Sequence, residues 1–268
     1  MSIRIMELSE LDDLERLSRL FAEIWGRPTV PPLDSDVLKA LAISGNYVAG
    51  AFDGDRLVGG LVGWFGGSPP GELHVHSHIL GVVPGHEKHG VGFELKQHQR
   101  RWCLAREVKV MEWTTDPLVR RNVYFNIAKL GAEAPGYLVN LYGQMRDGIN
   151  AGEESDRLLI RWRLDSDRAE AAAEGELREP DIEELRRAGS HTLLSVGARG
   201  EPVAGEVGSR VLICQVPVDI VALRRDDPAL AREWRVALRN AVDRATAQGF
   251  AITGATRSGW YVLESGIT

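Results

Sequence analysis

Apolar residues at Leu11, Leu14, Leu17, Leu20, Phe21 and Ile24 recur at helical spacing behind a short apolar run at residues 3–8. The chain is therefore predicted to open with a strand and an amphipathic helix. A proline-rich stretch ends that helix, and Asp34 or Ser35 can cap a second one through Leu38, Leu41 and Ile43. Apolar runs at residues 47–52 and 57–65 flank Asp53-Gly54-Asp55, a strand–turn–strand pattern. Residues 73–83 alternate apolar and polar and stop at Pro84, which predicts a strand. A helical face over residues 92–107 and a strand at 108–114 complete a strand–helix–strand unit, which implies two parallel neighbours. A helix is expected over residues 119–130, closed by Gly131, and further strands at 137–141 and 157–164. Residues 165–187 are rich in Glu, Ala, Arg and Asp and read as a solvated helical linker. Strands at 192–198 and 211–216, a helix at 228–248 and strands at 250–256 and 260–263 complete the chain. Their order echoes the first strand–helix–strand unit without its glycines.

Composition narrows the function classes. At 268 residues, 44% hydrophobic and 26% charged, the chain is of globular type, and a net charge of −6 disfavours a phosphate backbone as partner. No nucleic acid and no membrane are expected, since no apolar run approaches the ~18 residues of a spanning helix. Cys103 and Cys214 form no C-x-x-C pair, and no apolar segment follows Met1, so a cytoplasmic protein, monomer or homodimer, is expected.

The chemistry-bearing motif is Pro84-Gly85-His86-Glu87-Lys88-His89-Gly90-Val91-Gly92, which joins a strand to a helix. Such a junction aims unpaired backbone N–H groups and the helix dipole at one spot, and glycine lets a phosphate ester come close. A P-loop is excluded because no Lys-Ser/Thr follows Gly90, and Leu95 stands where a dinucleotide fingerprint needs glycine. Val82-Val83-Pro84 followed by Gly90-Val91-Gly92 resembles the central motif of the GNAT acyltransferases, and the element order from Ile3 to about Leu141 resembles that family too. The resemblance implies an α/β GNAT fold with a mixed central sheet and acetyl-CoA or another acyl-CoA as co-substrate. It places the pyrophosphate on the loop backbone at Lys88, His89, Gly90, Val91 and Gly92, and the pantetheine arm along the strand at Leu80, Val82 and Val83. It also carries over Asn122, Phe125 and, as stand-in for the family's tyrosine general acid, Tyr124, because Ile127 occupies the tyrosine's own place. Glu87 stands where the family has Arg or Gln.

Six of the seven histidines lie between His74 and His98, and His74, His76 and His78 alternate, so they are expected on one strand face. Neighbours two apart lie roughly 7 Å from each other along a strand, so one ion could take at most two of them, and no metal site is assigned. An amine arrives protonated and must lose a proton before it attacks a thioester, which a neutral histidine can accept. The spacing resembles that of arylalkylamine N-acetyltransferases, where two histidines on this strand relay a proton. That resemblance makes His78 the expected base and His76 the relay. Thr115 and Asp116, at the end of the second parallel strand, are candidates to touch the acceptor.

The expected organisation is a GNAT domain over residues 1–165, a helical linker over 166–190 and a C-terminal α/β lobe over 191–268, a degenerate partial repeat being one reading of that lobe. The expected activity is direct N-acyl transfer to a small amine or amino acid. A non-catalytic acyl-CoA-binding regulator is the alternative, and a metal-dependent hydrolase a third.

Overall fold

The computed structural model describes residues 3–27, 29–67, 71–143, 154–206 and 208–266, with the side chain of Lys88 outside that description. Its contacts divide the chain into two compact units. Among the described residues, one comprises residues up to Trp113 together with Arg163–Asp165, and the other residues 114–143, 154–162 and 166–266.

In the first unit, β1 (Ile3–Glu7) is followed by α1 (Leu11–Ile24) and α2 (Ser35–Ile43). Leu14, Leu17 and Phe21 form the buried stripe of α1, while Asp12 and Asp13 in its first turn oppose the positive end of its dipole. β2 (Tyr47–Asp53) and β3 (Arg56–Gly66) make the expected hairpin, whose Gly54 at φ +59° adopts the left-handed turn conformation. β3 is covered on both faces. A Cβ on Gly59 would stand 3.2 Å from Val91 of the helix on one side, and a Cβ on Gly60 would stand 2.2 Å from Leu17 of α1 on the other. β4 (His74–Val82) pairs antiparallel with β3, α3 spans Val91–Leu104, and β5 (Val110–Thr115) returns parallel to β4. The β4–α3–β5 order is the predicted parallel unit.

The second unit begins with α4 (Arg120–Tyr124), which passes directly into a π-helical turn, Phe125–Lys129. Gly131 at φ +74° ends it, with the Arg168 carbonyl 2.7 Å from where a Cβ would sit. The remaining elements are β6 (Glu133–Leu138), β7 (Arg157–Arg163), α5 (Asp167–Glu174), α6 (Ile182–Arg187), β8 (His191–Val196), β9 (Pro202–Ala204), β10 (Val211–Gln215), α7 (Ile220–Asp226), α8 (Pro228–Thr246), β11 (Phe250–Ala255) and β12 (Trp260–Ser265). Their sheet order is β7-β6-β11-β12-β10-β8-β9. α8 has Pro228 at its start and Asp227 as a capping acceptor for the Leu230 N–H, the arrangement a helix N-terminus favours.

Two expectations need revision here. The stretch read as a solvated linker is helical but partly packed: Ala169 and Ala172 of α5 are buried, and Arg168 donates to the carbonyls of Gly131, Ile127 and Thr253. Helical alanines supply a flat face that a charge count overlooks. In the C-terminal strand–helix–strand run, β10 and β11 are not neighbours, because β12 lies between them and pairs antiparallel with both. Even so, one succession occurs twice along the chain: a parallel strand pair, helix, then antiparallel hairpin. It runs β4/β5, α4, β6/β7, and then β8/β10, α7 and α8, β11/β12. Where the first instance has α3, the second has β9.

Candidate active site

The site is built on β4. Its pairing with β5 is confined to Val75 opposite Met111 and His76 opposite Glu112, after which the two strands part. Ser77 through Val82 therefore keep β3 on one side and present an open edge on the other.

β4 also contains a bulge. Consecutive Val62 and Gly63 of β3 pair with Ile79 and Ser77, so His78 is the extra residue. A bulge reverses the facing of the residues beyond it. Before it, Ser77 points toward α3, where its hydroxyl bonds Gln99 and Lys96. Beyond it, Gly81 faces α1, with Trp25 2.8 Å from a would-be Cβ, and Val82 pairs with Gly59, which faces α3. Leu80 and Val82 thus lie on the α3 face, and His76 on the opposite face beside Trp64, its partner on β3. His78 keeps the face of His76 as expected from sequence, and the strict alternation fails only beyond it, since a bulge leaves no mark in hydrophobic periodicity.

His76, His78 and Trp64 form one aromatic stack. The Trp64 ring lies 4.4 Å from His78, inclined 36°, and 5.2 Å from His76. His78 Nδ1 and His76 Nε2 are 3.4 Å apart, and His74 Nε2 lies 3.8 Å from a Glu112 carboxylate oxygen. Burial, followed by the neighbouring His78, His74 and Lys96, lowers His76 to about 4. Burial also lowers His78 from its ordinary value. Both imidazoles are neutral at pH 7, as a proton acceptor must be.

At the other end of β4, Glu87–His89 form a single 3₁₀ turn and Gly90 adopts φ +76° before α3 begins. The first intrahelical bond runs from the Glu94 N–H to the Gly90 carbonyl, so the N–H groups of Val91, Gly92 and Phe93 have no acceptor within the helix. Val83 is buried and its N–H donates to Val58. His89 is exposed at the rim, and the side chain of Lys88 lies outside the described residues. One carboxylate oxygen of Glu87 accepts the Gly85 N–H at 2.7 Å, which ties the residue into its own loop.

Other sequence candidates have different partners. Tyr124 donates its hydroxyl to Glu179 at 2.8 Å and accepts from Arg257 at 3.1 Å, and burial heads the causes that raise its pKa. Asn122 is exposed on α4, Phe125 half-buried at the start of the π turn, and Ile127 fully buried. Asp116 is not available to an acceptor. It is 8% exposed and held by Arg224 at 2.6 Å, Arg235 at 3.4 Å and the Leu118 N–H at 2.9 Å. Burial alone would raise its carboxyl, but the two guanidiniums hold it below the ordinary range. Cys103 and Cys214 are buried, which pushes each thiol up to about 12 and leaves neither as a nucleophile. Trp64 was missed by sequence reasoning, because only the β3–β4 register reveals which aromatic faces the histidines.

Residues 11–127 match the family model for the acetyltransferase (GNAT) family. Among solved structures, Naa50 of Arabidopsis thaliana with a CoA-Ac-MVNAL bisubstrate analogue is similar at 19% identity, covering 60% of this chain and 98% of that one at a TM-score of 0.47. The ribosomal-protein-S18-alanine N-acetyltransferase of Escherichia coli is similar at 13% identity, with 62% and 96% covered and a TM-score of 0.48. An aminoglycoside acetyltransferase from an uncultured soil metagenomic sample is similar at 20% identity, with 46% and 84% covered and a TM-score of 0.42. Comparison with curated protein sequences gives no significant match. A mixed sheet whose central parallel strands part beside a glycine-initiated helix gives the chain a GNAT fold, and residues 11–127 are the stretch that matches the acetyltransferase (GNAT) family.

Proposed function

We propose that the chain binds an acyl-CoA and transfers its acyl group directly to a small amine or amino acid, with His78 as general base. The parting of β4 and β5 directly after the His76–Glu112 pair carries this reading, because it opens a strand edge that ends at a helix N-terminus. The pyrophosphate is placed on the backbone from Lys88 through Gly92, where unpaired N–H groups and the α3 dipole favour an anion. The pantetheine amides pair with the open edge of β4 alongside Leu80, Val82 and Val83, on the face toward α3. The acceptor approaches from the other face, where Trp64, His76 and His78 lie.

In this scheme the amine loses a proton to His78, and its nitrogen attacks the thioester carbonyl. A backbone N–H of the β4 edge stabilises the oxyanion that forms. Collapse breaks the carbon–sulfur bond, and the CoA thiolate takes up a proton. His76, 3.4 Å from His78, receives the base's proton in turn. No covalent enzyme intermediate is needed. The family resemblance gives Tyr124 the duty of protonating the thiolate, with Asn122 and Phe125 beside the cofactor. Tyr124 would have to release Glu179 to perform it, and Tyr124→Phe tests that role through turnover. We read the second succession of strands and helices as a partial repeat without a cofactor cradle, since β9 replaces the helix whose N-terminus would bind the anion.

Thermal unfolding with and without free CoA tests the reading, because a ligand that binds only the native state raises Tm by mass action. CoA at about 100 times its Kd is expected to add about 2.7 kcal/mol. An unchanged Tm at millimolar CoA refutes it. The alternative of CoA binding without turnover is favoured by Glu87 in the loop and by Ile127 in the tyrosine's place. It predicts the Tm shift with no thiol release from any donor tested with amines.

A further inference from the structure

Below the point where β4 and β5 part, on the α3 side, lies a buried polar cluster that the proposed mechanism does not use. Lys96 is 2% exposed, and its Nζ donates to Ser77 Oγ of β4 at 2.8 Å. The same Nζ stands 3.9 Å from Met111 Sδ and 3.5 Å from the centre of the Trp113 ring, both on β5. It therefore spans the closed end of the opening from beneath. Ser77 passes its own hydrogen to Gln99 Oε1 at 2.8 Å.

The cluster holds a cation among neutral partners. Ser77 Oγ and Met111 Sδ each accept from the ammonium and the Trp113 ring faces it, all of them neutral, while the Nε2 of fully buried Gln99 has no hydrogen-bond partner among the described residues. Cys103 is the one titratable group among the described residues that favours the charged form of Lys96, and its thiol is pushed up to about 12 and is neutral. Burial accordingly lowers Lys96 to about 7. On the other face, the Lys96 charge depresses His76 further. A buried amine without a carboxylate is costly, and its retention at the end of a ligand channel is explained if the ligand brings the carboxylate.

We propose that Lys96 closes the acyl end of the site and selects acyl groups that end in a carboxylate, as in succinyl-CoA. The proposal rests on the acyl-CoA reading above. A carboxylate reaching down between β4 and β5 would accept from Lys96 Nζ in place of the weak sulfur acceptor and supply the negative charge the cluster lacks. A neutral chain of the same length would leave Lys96 to deprotonate. Lys96 thus acts on the choice of donor, while His78 acts on the acceptor.

The experiment measures kcat/KM and Kd for succinyl-CoA against butyryl-CoA and pentanoyl-CoA, neutral chains that bracket its length. Wild type is expected to favour succinyl-CoA by about 10- to 100-fold, the range of a charge-assisted hydrogen bond. Lys96→Met should reverse or abolish that ratio within the same protein. If Lys96→Met does not fold, the wild-type Kd ratio measured from pH 6 to pH 9 decides. It should shrink as pH rises above about 7 and Lys96 gives up its proton in the uncombined protein. Equal affinity for charged and neutral donors, a preference retained in Lys96→Met, or a pH-independent ratio would each overturn the proposal, leaving Lys96 as a packing residue. Free CoA serves as the control: a Tm shift with CoA but no donor selectivity defeats this inference alone, whereas no shift with any CoA species defeats the acyl-CoA reading beneath it.

Discussion

His78 owes its place to a single inserted residue in β4 and stacks on Trp64, and both have measurable consequences. Its pKa is lowered by burial, so the midpoint of the rising limb of the pH–rate profile is expected below the ordinary histidine value of about 6.5. Steady-state rates with a saturating donor check this. His78→Ala should cost about 10²- to 10⁴-fold at pH 7 and less at high pH, where the amine deprotonates unaided. His76→Ala should cost less, and the two losses should not add if both side chains serve one relay. Trp64→Leu removes the ring that covers His78, so the His78 titration followed by NMR should move up toward the ordinary value. An unmoved titration would show that Trp64 does not tune the base. The sequence marked His76 and His78 as a pair but not their tuning, because a stack between strands depends on register, and Trp64 lies twelve residues from one and fourteen from the other in the chain.

Among the elements, the β4–α3 junction was the most legible. Proline, two spaced glycines and a helical pattern are local signals, and the structure places Gly90 in the left-handed region directly before α3. Gly90→Val is strained by that backbone conformation, at about 1–2 kcal/mol, whereas Gly92 lies inside the helix. Gly92→Val is therefore the cleaner probe. It should abolish the CoA-dependent Tm shift and leave the unliganded stability within about 1 kcal/mol of wild type, since β-branching costs a helix little. Less legible were features set by pairing at a distance. The predicted helix over residues 119–130 carries a π turn from Phe125, with the Leu130 N–H bonded back to the Phe125 carbonyl, and nothing in apolar spacing announces it. Likewise β12 inserts beside β10, because sheet order is decided by which edge is open, a property that no single segment encodes.

At the scale of the whole chain, the C-terminal half is tied by ion pairs that composition did not reveal. Asp116 meets Arg224 and Arg235, and Arg239 meets Asp156, which also accepts from the Tyr137 hydroxyl at 2.7 Å. Truncation near Asp165 would leave Asp116 and Asp156 buried without those guanidiniums, so the shortened chain is expected not to fold. A soluble, fully active truncation would contradict this. Arg224→Met, a milder test, should destabilise by about 3 kcal/mol or more, because it leaves a buried carboxylate partly uncompensated, and chemical denaturation measures it. The two enclosed cysteines have a practical consequence for all of these measurements. With both thiols pushed up to about 12 and shielded from solvent, the folded protein is expected to be silent toward a disulfide reagent, so every equivalent of colour in a thiol-release assay counts one CoA set free. The same reagent, added without substrate, reports unfolding instead, since either cysteine becomes reactive only when its own half of the chain opens.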